Sequence, residues 1–359
     1  MAAIFSSRWN QFCVFLVWFL SIMFLYGHMD SHIQKLQRDL STLSVSRSLK
    51  QVEPDQLRLA DWAQKATASW NPENLVIVYN RVPKTGSTSF MNGVVYELCK
   101  RNNYHAIHLN VSKNSHTMTL ADQARFVQNV SNWVRRKPAV YHGHVAFIDF
   151  AKFGQRNPIY LNVIREPLDR FVSYYYFLRY GDNYRQGLVR RRAGNTETFD
   201  ECVTRGGSDC DPAHMWLQVP FFCGHSAKCW EPNDWALEQA KLNLLNRYLL
   251  VGVTEELTDF VAVLEATLPR FFTDATQQFV NGPSFHLRKT NKKEPLAEET
   301  VKALEQNKVY RMEKEFYDFA KQQFAFVRDR LLIDQDGGIP RARRQEFHYE
   351  KIKPKIKDL

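Results

Sequence analysis

Apolar residues fall along this chain in two rhythms. Short unbroken runs occur at residues 75–79 (LVIVY), 159–164 (IYLNVI) and 248–253 (YLLVGV). Runs of that length, rich in β-branched residues, read as buried strands. Between them the spacing turns helical. Phe90, Val94, Val95 and Leu98 mark one helix, residues 235–247 another, and residues 257–268 an amphipathic third. Residues 301–330 read as one helical stretch, with Val309, Met312, Phe316, Phe319 and Val327 on its core face. Residues 137–147 (KPAVYHGHVAF) read as a strand of alternating faces, which would project His142 and His144 to the same side. Residues 179–194 are dense in arginine and lack periodicity, so they read as a loop. The pattern predicts an α/β domain with a central, mainly parallel sheet flanked by helices.

The N-terminus follows different rules. Residues 12–26 (FCVFLVWFLSIMFLY) are almost wholly apolar and uncharged. The run is shorter than the ~20 residues of a typical spanning helix. No small-residue cleavage site follows, since Gly27, His28, Met29 and Asp30 come next. Arg8 just before it favours a cytoplasmic start. The expected order is a cytoplasmic tail at 1–11, an uncleaved transmembrane signal anchor at 12–27, a lumenal stem at 28–70 and the folded domain at 71–359. In the stem, Ile33, Leu36, Leu40 and Leu43 suit either a coiled helix or a flexible linker, and Pro54 ends any long helix. No internal repeat is present.

Composition narrows the partners. The formal charge is +10, which suits nucleic acid, an anionic membrane face or a sulfated or uronic-acid polysaccharide, or serves solubility alone. Six cysteines are present. Cys13 lies in the apolar run and Cys99 on the first helix. Cys202, Cys210, Cys223 and Cys229 cluster without the CxxC spacing of a zinc site. In a lumenal domain they read as two local loops, Cys202–Cys210 and Cys223–Cys229, one of three possible pairings. Sequons at Asn110 and Asn129 agree with a lumenal domain.

Three stretches carry candidate chemistry. In residues 79–90 (YNRVPKTGSTSF) a strand, a tight turn and a helix start follow one another. The unbonded N–H groups of a first helical turn attract an anion, and Lys84, Ser87, Thr88 and Ser89 add donors. This is not the nucleotide-triphosphatase loop, because the lysine precedes the glycine. An ordinary strand-to-helix turn is the bland reading. The second stretch, residues 164–176 (IREPLDRFVSYYY), places Arg165 at a strand's C-terminal end and Ser173 two helical turns later, which suits a second phosphate. The third is His142-Gly143-His144. Strand histidines are usually structural, a metal pair lacks an evident third ligand, and a general base is the remaining role.

Together these motifs resemble the Golgi sulfotransferases that use 3′-phosphoadenosine 5′-phosphosulfate (PAPS). The resemblance is closest to the branch that sulfates the 2-hydroxyl of hexuronic acid in heparan sulfate. It extends from Tyr79 to the tail through YNRVPKTGSTSF, YHGHV, DFAKFG, NVIREPLDRFVSYYYFLR, TFDEC, GGSDC, PFFCGHS, LVGVTEEL, LPRFF and HLRKT. It implies a P-loop-like sulfotransferase fold, sulfuryl transfer from PAPS to N-sulfated heparan sulfate, no metal and no nucleic acid. It also implies a Golgi membrane location and a homotrimer. Lys84, Thr85, Gly86, Ser87 and Thr88 would hold the 5′-phosphosulfate, with Lys84 steadying the leaving oxygen. Arg165 and Ser173 would hold the 3′-phosphate, and Thr290 and Lys293 would lie in a closing loop. His144 would be the base, assisted by His142. Arg81, His108, Arg185, Arg190 and Arg288 would contact the saccharide, with Tyr96 and Lys113 as weaker candidates. The departures are Gly86, where an alanine is familiar, and Val189 beside Arg190. The rival readings are a uronyl 2-O-sulfotransferase acting on dermatan or chondroitin sulfate, a non-catalytic glycan-binding protein, and a nucleotide kinase. The intact PKTGST and YHGH stretches disfavour the first, and the presence of Lys84, His144, Arg165 and Ser173 disfavours the second. The absence of a GKS or GKT triplet, with the lumenal signals, disfavours the third.

Overall fold

The computed structural model describes residues 71–111, 115–182, 187–282, 293–333 and 340–343. The apolar run at 12–27, the stem at 28–70, and Lys113, Arg185, Arg288 and Thr290 lie outside them. Among the described residues no helix is long and apolar enough to cross a membrane.

Five strands form one parallel sheet: β1 Val76–Tyr79, β2 His105–His108, β3 Ala139–His142, β4 Ile159–Ile164 and β5 Tyr248–Val253, in the order β2-β3-β1-β4-β5. Every residue of β1, β3, β4 and β5 is buried, as expected where helices cover both faces of a parallel sheet. The edge strand β2 has no fully buried residue and was not evident from hydropathy.

After β1 the chain crosses to β2 and β3 on one side, then passes over β1 to β4 and β5 on the other. The turn leaving β1 therefore sits at the topological switch point, where open α/β sheets bind ligands beyond their C-terminal strand ends. Helix α1 follows it, running Ser87–Phe90, through a π-helical turn Met91–Val95, to Tyr96–Arg101. Helix α2 (Leu120–Asn132) joins β2 to β3, and α3 (Pro167–Tyr180) leaves β4 with Pro167 in its first turn. Then come α4 (Phe199–Arg205), α5 (Gln218–Cys223), α6 (Asp234–Arg247), α7 (Leu257–Thr267), α8 (Pro269–Phe272), α9 (Ala275–Asn281), α10 (Glu298–Glu305) and α11 (Lys308–Leu331). The main core packs these helices on the sheet. A smaller apolar cluster gathers Phe171, Tyr175, Phe199 and Met215 around α3 and α4.

Both local disulfides are formed. Cys202–Cys210 lies in the smaller cluster and Cys223–Cys229 in the main core. Cys99 is a free thiol on α1.

Three sequence expectations are corrected. The strand expected across 137–147 ends at His142. Gly143 passes so close to β2 that a Cβ there would stand 2.5 Å from the Leu109 carbonyl oxygen, and beyond it the backbone bonds outside the sheet. The 301–330 stretch is two helices. Asn307 accepts the Val309 N–H at 2.8 Å and starts α11, so the helical rhythm restarts at a cap. The arginine-dense loop begins two residues late, because α3 continues through Arg179 and Tyr180.

Candidate active site

The turn after β1 puts two residues in left-handed backbone conformation, Lys84 at φ 70° and Gly86 at φ 74°. Gly86 is the residue type that adopts this freely, and a Cβ there would also meet Thr254 Cγ2 at 3.2 Å. Thr85 is fully buried and its hydroxyl donates to the Val82 carbonyl at 3.0 Å, fixing the turn. Phe90 N–H donates to Gly86 O at 3.2 Å. The N–H groups of Ser87, Thr88 and Ser89 precede that bond and have no carbonyl within their own helix to bond, which is an anion-binding arrangement. Lys84 rests its ammonium 4.3 Å from the centre of the Phe177 ring.

Phe177 lies on α3, and so do Asp169 and Ser173, each four residues apart and on one face. Ser173 is buried. Asp169 pairs with Lys293 at 2.5 Å, bringing that residue of the expected closing loop to the same helix face. Arg165 stands one residue beyond β4. Its main chain is gripped at both polar groups by one side chain: its N–H donates to Gln218 Oε1, and Gln218 Nε2 donates to its carbonyl, both at 2.9 Å. Gln218 opens α5, whose N-terminal N–H groups at Leu217, Gln218 and Val219 donate to the buried Glu313 carboxylate. Burial pushes that carboxyl's pKa up, opposed by the buried Arg170 guanidinium.

The histidines meet beside the turn. His108 and His142 are register partners on β2 and β3, and their rings stack at 4.8 Å. Arg81 Nη2 lies 3.3 Å from His108 Nε2, and the Tyr96 hydroxyl lies 2.8 Å from His142 Nε2. His142 is buried with Nδ1 unpartnered. His144 Nδ1 lies 2.8 Å from the Arg81 carbonyl. A carbonyl only accepts, so Nδ1 carries the proton and Nε2 carries the lone pair. Burial first, and then the Arg81 guanidinium, lower the pKa of both His142 and His144 to about 3. Both rings are neutral near pH 7.

The arginine-dense segment is more structural than its composition suggests. Arg179 is buried and lies 3.4 Å from Glu197 and 3.3 Å from Asp209. Arg192 bonds Asp209 at 2.8 Å and holds its carboxyl below the usual range. Arg190 lies 4.3 Å from the Phe177 ring centre and 3.6 Å from Asp182. Arg179 and Arg192 therefore serve their own chain's carboxylates rather than a polyanion rim.

The structure thus brings together Arg81, Lys84, Thr85, Gly86, Ser87, Thr88, Tyr96, His108, His142 and His144, with Arg165, Ser173, Arg190 and Lys293 flanking them. Phe177, Gln218 and Glu313 were not singled out from sequence. Nothing in their local patterns marks them, and only the fold joins them to the motifs. Asn110 and Asn129 are both exposed. Among the described residues no group of three or more His, Cys, Asp or Glu is placed to hold a metal ion.

Comparison with known proteins places the chain. A profile described as "Sulfotransferase family" matches residues 69–320. "Heparan sulfate 2-O-sulfotransferase 1" of Gallus gallus is 51% identical over 348 residues, 96% of each chain. The Homo sapiens protein of the same name is 51% identical over 91% of this chain and 92% of its own. "Heparin sulfate O-sulfotransferase" of Drosophila melanogaster is 54% identical over 79% of this chain and 80% of its own.

Proposed function

This chain belongs to the sulfotransferase family, and we propose that it transfers a sulfuryl group from PAPS to the 2-hydroxyl of hexuronic acid, mainly iduronate, in N-sulfated heparan sulfate. The observation that carries this reading is the 51% identity over 96% of both chains to a protein named for that reaction.

The residues present suit the donor. The turn at 84–88 offers N–H groups, hydroxyls and an ammonium to a phosphosulfate, and Gly86 supplies the left-handed backbone conformation the turn needs. PAPS supplies an activated sulfuryl group whose bond to the phosphate oxygen breaks as the bond to the sugar oxygen forms. His144 Nε2 takes the proton of the acceptor hydroxyl, and the Arg81 carbonyl holds the tautomer that leaves this nitrogen free. Lys84, whose ammonium rests 4.3 Å from the Phe177 ring centre, would steady the negative charge that grows on the leaving oxygen. Thr85, Gly86, Ser87 and Thr88 bind the 5′-phosphate. Arg165 and Ser173 bind the 3′-phosphate, with Gln218 fixing the backbone of Arg165. Thr290 and Lys293 close over the nucleotide, and the Asp169–Lys293 pair supports docking of that loop on α3. His142 is engaged with Tyr96 and orients rather than abstracts. Burial and then the Arg81 guanidinium lower the basicity of His144. Anionic donor and uronate beside Arg81 raise it, so the base strengthens when substrates arrive. Arg81, Tyr96, His108, Lys113, Arg185, Arg190 and Arg288 contact the saccharide.

We further propose a single-pass Golgi membrane protein with its catalytic domain in the lumen, anchored by residues 12–27. The two disulfides and the exposed sequon asparagines Asn110 and Asn129 support a lumenal domain. A homotrimer is proposed on the family resemblance.

The test uses the full chain in detergent, labelled PAPS, and two acceptors: N-sulfated heparosan epimerised to contain iduronate, and dermatan sulfate. Label at the 2-position of uronate in the heparan-type chain is expected. Label chiefly in dermatan sulfate moves the protein to the other uronyl branch. No label in either chain overturns the assignment.

A further inference from the structure

The segment that carries His144 lies outside the sheet, and something else must hold it. Two other histidines do. His116 Nδ1 donates to the His144 carbonyl at 3.2 Å, and Ala146 N–H donates to the His116 carbonyl at 2.9 Å. On the far side His225 Nε2 donates to the Ala146 carbonyl at 3.2 Å, and its Nδ1 accepts the Met118 N–H at 3.1 Å. Phe147 N–H donates to the Phe221 carbonyl at 2.8 Å. Both nitrogens of His225 are thus spent on backbone, one on the segment after His144 and one on the segment after His116. The loop bearing His225 is closed by Cys223–Cys229 and bonded internally, since Trp230 Nε1 donates to Gly224 O at 3.2 Å. Trp216 Nε1 donates to Cys229 O at 3.0 Å, tying the loop to the core. Trp230 also stacks on the His116 ring at 6.1 Å.

We propose that His225 is a positioning residue for the sulfuryl-transfer step, a neutral two-ended strut that, with His116, sets the backbone from which His144 reaches the acceptor hydroxyl. This rests on the reading of His144 as the base. A base displaced by about 1 Å loses on the order of a hundredfold in rate with its chemistry intact. The two ring-nitrogen bonds of His225 go to Met118 and Ala146 and not to the phosphate turn or Arg165, so its loss is expected to act on turnover and not on nucleotide binding.

His225→Ala, His225→Gln, His225→Asn and His144→Ala are compared in the full chain with PAPS and the heparan-type acceptor. Affinity for adenosine 3′,5′-bisphosphate is measured by calorimetry. Glutamine keeps a donor for Ala146, whereas asparagine keeps only an acceptor for Met118. In His225→Ala, kcat is expected to fall about 10- to 100-fold with KM and nucleotide affinity within about threefold of the unmodified protein. His225→Gln is expected to restore turnover to within about fivefold. Unchanged kcat in His225→Ala overturns the proposal, and so does a parallel fall in kcat and nucleotide affinity in both variants. Should the alanine variant not fold, glutamine against asparagine decides. Glutamine is expected to be faster by about tenfold, and equal rates overturn the strut. An active His144→Ala overturns the base itself. An inactive His144→Ala beside a fully active His225→Ala overturns the strut alone.

Discussion

The phosphate turn and the histidine segment leave neighbouring strands at the same edge of the sheet, yet they are held by different means. The turn at 82–86 is bonded within itself and to the helix it starts, while Asn80 and Arg81 ahead of it are also bonded by Asn162 and His144. Thr85 bonds Val82 three residues back, and Phe90 bonds Gly86 four residues back. The segment at 143–147 is held from far along the chain, by His116 and by the disulfide-closed loop around His225. The proposed anion cradle is built mainly from local geometry, whereas the proposed base is placed by tertiary contacts. A binding site made of backbone N–H groups tolerates such self-sufficiency. A base that must meet a hydroxyl of a second substrate needs its position set by the rest of the fold.

The largest expected effects separate the two regions by what they do. Lys84→Ala and His144→Ala should each lower transfer by about 10²–10⁴-fold. They differ in binding. Lys84→Ala should also weaken adenosine 3′,5′-bisphosphate by about tenfold, because a charged donor to phosphate is lost, while His144→Ala should leave it unchanged. Calorimetry on both variants checks this. Equal nucleotide affinity in the two would erase the distinction between cradle and base.

A smaller effect comes from acid. The fold holds His142 and His144 at a pKa of about 3 and His225 at about 4, lowered chiefly by burial, against about 6.5 in an unfolded chain. Above pH 6.5 the rings are neutral in both states and contribute nothing to the pH dependence. Below it the unfolded chain takes up protons that the fold refuses. Each ring then costs up to about 1.4 kcal/mol of stability per pH unit, until its folded pKa is reached. Burial raises the carboxyl pKa of Glu166 and Glu313, which works the other way at lower pH. A local readout is therefore needed. Amide hydrogen exchange corrected for intrinsic rates should show Met118 and Ala146 losing protection between pH 6.5 and 4.5, while Phe90 keeps its own. Protection lost equally at both would mean that acid loosens the whole domain and not the histidine brace.

The same contrast explains what could be read from the chain alone. The turn, its helix, Arg165 at a strand end and Ser173 two turns on were legible because the sequence signal for each lies within a dozen residues, even though Gln218 then fixes the Arg165 backbone. Both disulfide loops were legible for the same reason. The histidine pair stood out in the sequence, but the strand geometry expected for it holds only as far as His142. Strand alternation was expected to carry both rings to one face, whereas β3 stops at His142 and the backbone that follows leaves the ladder. His116 and His225 carry no local signal, since a lone histidine in a loop is indistinguishable from any other. Arg179 and Arg192 misled in the opposite sense. Arginine density suggests a polyanion, and only the fold shows that Glu197 and Asp209 already hold them.

The two disulfides offer the finest test, because they are alike in everything except what they brace. Each closes a short loop, with sequence separations of 8 and 6. Loop-closure entropy assigns each about 2.5 kcal/mol of stability. Cys202–Cys210 sits in the smaller cluster around α3 and α4, whereas Cys223–Cys229 closes the loop that carries His225. The paired serine variants should therefore lose similar stability by denaturant unfolding. Turnover should part them, staying within about twofold for the first pair and falling about five- to tenfold for the second, with nucleotide affinity held in both. If turnover falls equally in both, the loops are no more than staples. If it falls only in the second, stability and placement of the base are separable in this fold, and the loop around His225 supplies the placement.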